Sequence, residues 1–148
     1  MRPDTQLEAA QPDDLAAIRE LLDSAQLPHS DLDAGSLKTF ICAREKGRLV
    51  GVAGLEVFGS IAMARSLAVA PASRGRRIGS ELLDRVEELA RDLGVTDLYG
   101  LTLTIEDLLI RRGFRKTNRS DAPPQIRRTP EFRGLCPDSA ALLVKNIS

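Results

Sequence analysis

A strand-like run, a basic turn and a long amphipathic helix follow one another between residues 65 and 93, and this order constrains the fold more than any other feature. The apolar run 67–70 ends at Pro71. From residue 80 to residue 93, apolar residues recur at helical spacing, and Gly94 then ends the helix. A turn in this setting can direct several backbone N–H groups toward one point, located at the positive end of the helix dipole. This geometry suits the binding of a pyrophosphate.

The turn between this strand and this helix could also be an ordinary solvent-exposed turn, because short glycine-containing motifs often occur by chance. Neither G-x-x-x-x-G-K-[ST] nor G-x-G-x-x-G occurs in the chain, so the standard nucleotide fingerprints do not apply. The strand–turn–helix context nevertheless favours a phosphate loop over a solvated turn. The predicted phosphate-binding residues are Arg74, Gly75, Arg76, Arg77, Ile78, Gly79 and Ser80.

The rest of the chain alternates short strands with helices. A helix opens at Pro12 and ends before Pro28, and a short helix covers 106–112. The order predicts an α/β fold: a single domain, residues 1–148, with a mixed, mostly antiparallel central sheet flanked by helices. The predicted strands are 7–10, 40–43, 49–58, 61–70, 98–103, a strand beginning at Phe114, and 140–145.

Charge and cysteine content exclude several classes of protein. Among the 148 residues, 21 are basic and 21 acidic, which gives no reason to expect nucleic acid or an anionic membrane as partner. Two cysteines without metal-type spacing predict neither a disulfide framework nor a metal site. No signal-like segment or long apolar run is seen, so we expect a cytoplasmic protein. The sequence is compatible with a homodimer.

The turn and two flanking runs resemble one enzyme family. Arg74-x-x-Arg77-x-Gly79 resembles the Q/R-x-x-G-x-G/A signature of the Gcn5-related N-acetyltransferases (GNAT). The run L-A-V-A-P at 67–71 and the corner R-R-G-F at 111–114 also resemble that family, and the similarity extends over about 7–143. The resemblance implies acetyl-CoA as co-substrate and no metal. It also implies that the backbone of Leu67, Ala68 and Val69 pairs with the pantetheine arm.

Three positions depart from the family pattern. Arg77 stands where the signature has its first glycine, so its side chain becomes a candidate phosphate ligand. The usual tyrosine acid is replaced by Leu109, and the usual glutamate base by Met63. Glu56, on the strand next to the cofactor strand, is the candidate catalytic base. Weaker alternatives for the chemistry are His29 as base, Cys136 as nucleophile, and the chain's one tyrosine, Tyr99.

The acceptor is predicted to be a small-molecule amine, and Arg65, Ser66 and Thr102 are the candidate substrate-binding residues. Strand alternation would put Arg65 on the face of Leu67 and Val69, where its guanidinium could bind a carboxylate or another oxyanion. Residues 27–32 and 129–140 resemble a GNAT subgroup associated with arsenic-resistance operons. An amino-acid-like acceptor is the leading hypothesis; protein N-acetylation and a CoA-binding sensor without turnover are the alternatives.

Overall fold

The sheet is mixed and mostly antiparallel, as predicted. The computed structural model describes residues 5–74, 77–135 and 139–148. In this part of the chain the strands lie in the order β1-β2-β3-β4-β5-β7-β6. Only β4 and β5 form a parallel pair among the registers described, whereas β1–β2, β2–β3, β5–β7 and β6–β7 are antiparallel. The strands are β1 (Thr5–Ala9), β2 (Phe40–Glu45), β3 (Arg48–Phe58), β4 (Ile61–Val69), β5 (Asp97–Thr102), β6 (Arg115–Thr117) and β7 (Ala141–Asn146).

The predicted helices are present, with small shifts at their ends. They are α1 (Leu15–Ser24), α2 (Ile78–Asp92) and α3 (Glu106–Arg111); a fourth helix, α4 (Pro124–Arg127), was not predicted. The sequence at 118–138 is a long polar segment with four prolines. It holds α4, a 3₁₀ turn at Arg119–Asp121 and a π turn at Glu131–Leu135. Further 3₁₀ turns lie at Pro12–Asp14, Ser36–Thr39 and Pro71–Ser73.

Amphipathic spacing explains the orientation of α2. Its buried residues are Ile78, Leu82, Leu83, Val86, Glu87 and Ala90. The predicted apolar stripe also included Leu93, but this side chain is 47% exposed. The reason is local: α2 ends at Asp92, and Gly94 takes φ 86, the left-handed conformation typical of a helix end.

The chain divides into two compact units. The first consists of residues up to Leu55 together with Ser66–Leu89, and the second of Glu56–Arg65 and Ala90–Ser148. The core of the first unit includes Ile18, Leu22, Leu37, Phe40 and Val52. Gly54 belongs to this packing, because a Cβ there would lie 2.4 Å from Cε1 of Phe40.

The second unit has a core of its own. Met63, Ala122, Ile126 and Leu142 are buried together, and Ile61, Tyr99, Leu101 and Phe132 pack against them. Residues 119–132 therefore belong to a packed layer and are not a loose connection. Across the described residues, no helix is both long enough and apolar enough to cross a membrane.

Candidate active site

The loop after β4 is fixed at its start by polar contacts. The Ser73 hydroxyl donates to a carboxylate oxygen of Glu45 at 3.1 Å, and the Ser73 N–H donates to the carbonyl of Ala70 at 2.8 Å. The Nε of Arg74 donates to the carbonyl of Val69 at 3.1 Å. These bonds hold the chain where it leaves the strand. Two predicted phosphate ligands, Gly75 and Arg76, lie outside the described residues.

Arg77 has the backbone conformation of a glycine. Its φ is 64, and its carbonyl accepts the N–H of Glu81 at 3.0 Å, so it stands just before the first turn of α2. A left-handed conformation costs an L-residue about 1–2 kcal/mol. The position that carries glycine in the GNAT signature therefore keeps the geometry that favours glycine, although the residue is arginine. The Arg77 side chain is exposed.

Gly79 lies in the first turn of α2, where backbone N–H groups have no acceptor within the helix. Among the described residues, a Cβ at this position would meet only Cγ2 of Val69, at 3.9 Å, which is an ordinary contact. Packing within the protein thus does not require a glycine here. The N–H groups at the start of α2, the open space at Gly79 and the exposed cationic side chain of Arg77 together fit the diphosphate of a coenzyme A.

The pairing and the backbone conformation of β4 change near Ser66. The parallel ladder with β5 runs from the Ile61–Asp97 pair to the Ala64–Gly100 pair and ends there in the described part of the chain, although β4 continues to Val69. Ser66 has φ 59, the left-handed region, inside the strand. Beyond it, the edge of β4 at Leu67 is outside the ladder, so its backbone groups can pair with an extended ligand.

The positive φ at Ser66 also corrects one premise of the sequence interpretation. Strict alternation predicted that Arg65 shares a face with Leu67 and Val69. A residue in the left-handed conformation interrupts that alternation, as in a β-bulge. Burial agrees: Met63, Arg65 and then Ala68 are buried, whereas Leu67 and Val69 are only half-buried.

Arg65 is a buried cation held by two carboxylates. Its side chain is 4% exposed, and its guanidinium lies 3.0 Å from a carboxylate oxygen of Glu56. The same guanidinium nitrogen forms an ion pair with Glu131, whose side chain is 5% exposed. Glu131 begins the π turn at Glu131–Leu135.

The comparisons with known proteins decide the family. Residues 6–116 match the model of the acetyltransferase (GNAT) family. This chain belongs to the GNAT family. By family it is an acyltransferase, and the predicted N-acetyltransferase class is confirmed, as is the predicted fold.

Solved structures share the fold of this GNAT chain at low sequence identity. N-acetylglutamate synthase from Neisseria gonorrhoeae, in complex with coenzyme A and N-acetyl-glutamate, is 22% identical with a TM-score of 0.85. The match covers 100% of this chain and 36% of that one, so this chain spans about a third of the synthase. Rv2747 from Mycobacterium tuberculosis, in complex with CoA, is 22% identical with a TM-score of 0.80; the match covers 95% and 98% of the two chains.

A third relative is an acetyltransferase of the GNAT family from Staphylococcus aureus. It is 17% identical with a TM-score of 0.78, and the match covers 97% of this chain and 99% of that chain. Two of these three relatives contain coenzyme A, which agrees with the fit of the loop before α2.

The positions of the usual GNAT acid and base are apolar and buried. Met63 is 0% exposed and Leu109 is 3% exposed. Tyr99 is half-buried against the core of the second unit. Burial and, less strongly, Asp97 raise the pKa of this phenol, although Arg115 partly opposes them, so it stays protonated at neutral pH. Glu56 is the candidate base whose side chain reaches solvent in part, at 24% exposed.

The weaker catalytic alternatives have structural explanations or fall outside the described residues. The Nε2 of His29 lies 2.5 Å from a carboxylate oxygen of Asp23, which ties the ring to the end of α1. Cys42 is fully buried, and burial raises the pKa of its thiol to about 11. Cys136, the suggested nucleophile, lies outside the described residues.

Thr102, the third predicted acceptor residue, ends β5. Its hydroxyl oxygen accepts the N–H of Thr104 at 3.1 Å and that of Ile105 at 3.0 Å, which closes the turn before α3. Thr102 also lines a cavity of about 350 Å³ within the second unit. The contact between Arg65 and Glu131 was missed by sequence reasoning, because it joins residues 66 positions apart. The only available signal was an acidic residue directly after Pro130.

Proposed function

We propose that this chain is an acetyl-CoA-dependent N-acetyltransferase that transfers the acetyl group to the amine of a small, amino-acid-like acceptor by direct attack on the thioester. The observation that carries the proposal is the start of α2, where Arg77, just before the helix, keeps a left-handed backbone and Gly79, in its first turn, leaves open space. The family match and the CoA in related structures support it.

Two sets of residues would hold the cofactor. The backbone of Leu67, Ala68 and Val69 would pair with the pantetheine arm, since this part of β4 extends beyond the ladder with β5. The backbone N–H groups of 74–80 would hold the pyrophosphate, with Arg74 and Arg77 adding positive charge. Acetyl-CoA would supply the activated acetyl group as a thioester.

Catalysis would depend mainly on positioning. Met63 and Leu109 place no titratable group where the family often has its base and acid. Holding an amine against a thioester can itself supply a large part of the rate acceleration. Glu56 would receive the proton of the attacking amine, and Arg65 would orient its carboxylate through their hydrogen bond.

The acceptor class is inferred from a structural relative and from the charges around Arg65. N-acetylglutamate synthase, a structural relative, is seen with N-acetyl-glutamate, which makes an amino-acid-like acceptor a reasonable hypothesis. Ser66 and Thr102 would face the acceptor, as predicted. Arg65 already holds two carboxylates, so an acceptor carboxylate would compete with Glu56 and Glu131 for it. The likeness to the arsenic-resistance subgroup stays a prediction.

Replacement of Gly79 tests the cofactor site. Gly79→Ala should fold normally and keep most of its affinity for CoA, because a Cβ there meets only an ordinary contact. Gly79→Glu should abolish CoA binding, since it adds a bulky anion next to the phosphates. Calorimetric titration with CoA measures both variants, and circular dichroism shows whether they fold. Unchanged affinity in a folded Gly79→Glu variant would show that the site lies elsewhere.

A CoA-binding sensor without turnover is the second candidate, favoured by the apolar side chains of Met63 and Leu109. Release of free CoA thiol, measured with a panel of amino acids, polyamines and peptides, separates the candidates. Turnover with amino acids supports the proposed function, and turnover with peptides alone indicates protein N-acetylation. Tight binding of acetyl-CoA with no turnover on any acceptor indicates the sensor.

A further inference from the structure

A half-buried arginine stands in the wall of the cavity in the second unit. The cavity, about 350 Å³, is bounded by the end of β5, by β6 and by the start of β7. Arg119 donates to the carbonyl of Ala140 at 3.2 Å and to that of Phe132 at 3.4 Å. Its guanidinium also stacks on the Phe132 ring, 4.4 Å from the ring centroid. Three contacts thus fix this cation in one orientation.

Within the described part of the chain, the contacts of Arg119 supply no opposite charge. Both hydrogen-bond partners of its guanidinium are neutral carbonyls, and among the described residues no carboxylate pairs with it. Two further charged groups among the described lining residues neutralise each other: Lys116 lies 3.6 Å from Glu106 at an exposed position. A partly desolvated, fixed guanidinium without a counter-charge is stabilised by an anion that presents two oxygens.

The remaining cavity wall adds hydrogen-bond donors. The Thr102 hydroxyl oxygen already accepts two backbone N–H groups, so its own proton is left to donate. Thr117 and Ser139 add two further hydroxyl groups to the lining. The volume lies at the lower end of the range for small-molecule sites, which limits the ligand to a small one.

We propose that this cavity binds a small carboxylate-bearing molecule, with Arg119 as the anchor for the carboxylate. The molecule is either the acceptor of the proposed reaction or an effector; both present the same chemistry to Arg119. If the molecule is the acceptor, the proposal rests on the proposed function. Binding of a carboxylate in the cavity does not depend on that function, because all of the lining residues named here lie in the second unit.

A matched pair of probes tests the carboxylate. N-acetylglycine carries one carboxylate and no amine, and N-acetylglycinamide has nearly the same shape without the charge. Each is titrated into the isotope-labelled full chain and followed by amide NMR. N-acetylglycine should shift the amide signals of Thr117, Arg119 and Ala141, with an affinity at least about tenfold above that of the amide. Equal binding of the two probes, or shifts confined to other residues, overturns the proposal.

Variants at Ser139 keep the test independent of the structural role of Arg119. Ser139 is exposed, lines the cavity and precedes Ala140, whose carbonyl accepts from Arg119. Ser139→Asp supplies an internal carboxylate and should weaken N-acetylglycine binding at least about tenfold. Ser139→Asn has the size of the aspartate variant without its charge and keeps a hydrogen-bond donor, so it should weaken binding by well under tenfold. Equal binding by both variants would show that Arg119 is not the anchor.

Kinetics then distinguishes the two sources of the ligand. If N-acetylglycine competes with the amine acceptor, the cavity holds the acceptor; if it changes the rate without competing, the cavity holds an effector. Both results support the site. If no acceptor is turned over at all, the proposed function fails, but the NMR titration still decides whether the cavity binds a carboxylate.

Discussion

Single residues with unusual backbone or charge mark the candidate site. Arg77 and Ser66 both have positive φ without being glycine, and Arg65 is buried between two carboxylates. Strained backbone and buried charge of this kind persist only where the surrounding structure fixes them, and they often occur at functional sites. Substitutions at or next to these residues can therefore show whether a side chain stabilises the fold or acts on a ligand.

Replacing Arg77 separates its backbone conformation from its charge. Arg77→Gly removes the left-handed strain, about 1 kcal/mol, but raises the entropy of the unfolded chain. The free energy of unfolding should therefore change by less than about 1 kcal/mol. CoA affinity should fall roughly tenfold if the guanidinium contacts a phosphate.

Arg77→Asn is the matched control, because asparagine tolerates the left-handed region and is uncharged. It should lose CoA affinity to the same extent as Arg77→Gly, as measured by calorimetry. If both variants bind CoA as tightly as the wild type, the Arg77 side chain is not a phosphate ligand.

Glu56 and Tyr99 test how much of the catalysis depends on a specific base or acid. Glu56→Gln keeps the size of the side chain that binds Arg65, and Tyr99→Phe keeps the packing of the ring. Each change should lower kcat by less than roughly a hundredfold, because positioning remains. A loss of several thousandfold in either variant, with the fold intact by circular dichroism, would contradict this prediction.

At the scale of elements, periodicity predicted most of the fold. The apolar stripe of α2 was predicted from spacing, because burial on one face imposes the period, and the strands β2 and β3 were predicted from their apolar runs. The strand–turn–helix order predicted the turn between β4 and α2, although α2 begins at Ile78, two residues earlier than predicted. The left-handed Ser66 and the Arg65–Glu131 ion pair were not predicted, because tertiary packing imposes them on residues without a local signature.

The start of α1 is linked to the sheet by a charge cluster that makes stability depend on pH. Arg44 of β2 pairs with Asp14, at 2.7 Å, and with Glu8 of β1, also at 2.7 Å. Burial raises the pKa of Asp14, but the N–H of Gln11 and the Arg44 guanidinium outweigh it and lower the pKa below its usual value of 3.8. A lowered pKa means stability that is present above pH 3.8 and is lost as the pH falls through the folded-state pKa.

Asp14→Asn should remove that part of the pH dependence. At neutral pH the variant should be less stable by about 1–2 kcal/mol, from the lost charge-assisted hydrogen bonds, and the difference should shrink below pH 4. Urea unfolding at a series of pH values measures it. Asp13→Asn, at the exposed neighbouring position, is the control and should behave as the wild type. A constant difference between Asp14→Asn and wild type at all pH values would refute the assignment.

At the scale of the whole molecule, the chain passes between its two compact units three times. It does so after Leu55 in β3, after Arg65 in β4 and after Leu89 in α2, each time inside a strand or helix. A unit that unfolded alone would break these elements in the middle, at a cost in backbone hydrogen bonds and packing. We therefore expect the two units to unfold together, as the predicted single domain requires.

Core truncations in each unit test this cooperativity. Leu22 and Ile126 are both 0% exposed, one in each core. Leu22→Ala and Ile126→Ala should each destabilise the protein by about 2–5 kcal/mol. Both should shift one calorimetric transition, whereas Leu93→Ala, at a position 47% exposed, should shift it little. If Leu22→Ala moved one transition and Ile126→Ala another, the units would unfold separately. The chain would then consist of two folding units and not one domain.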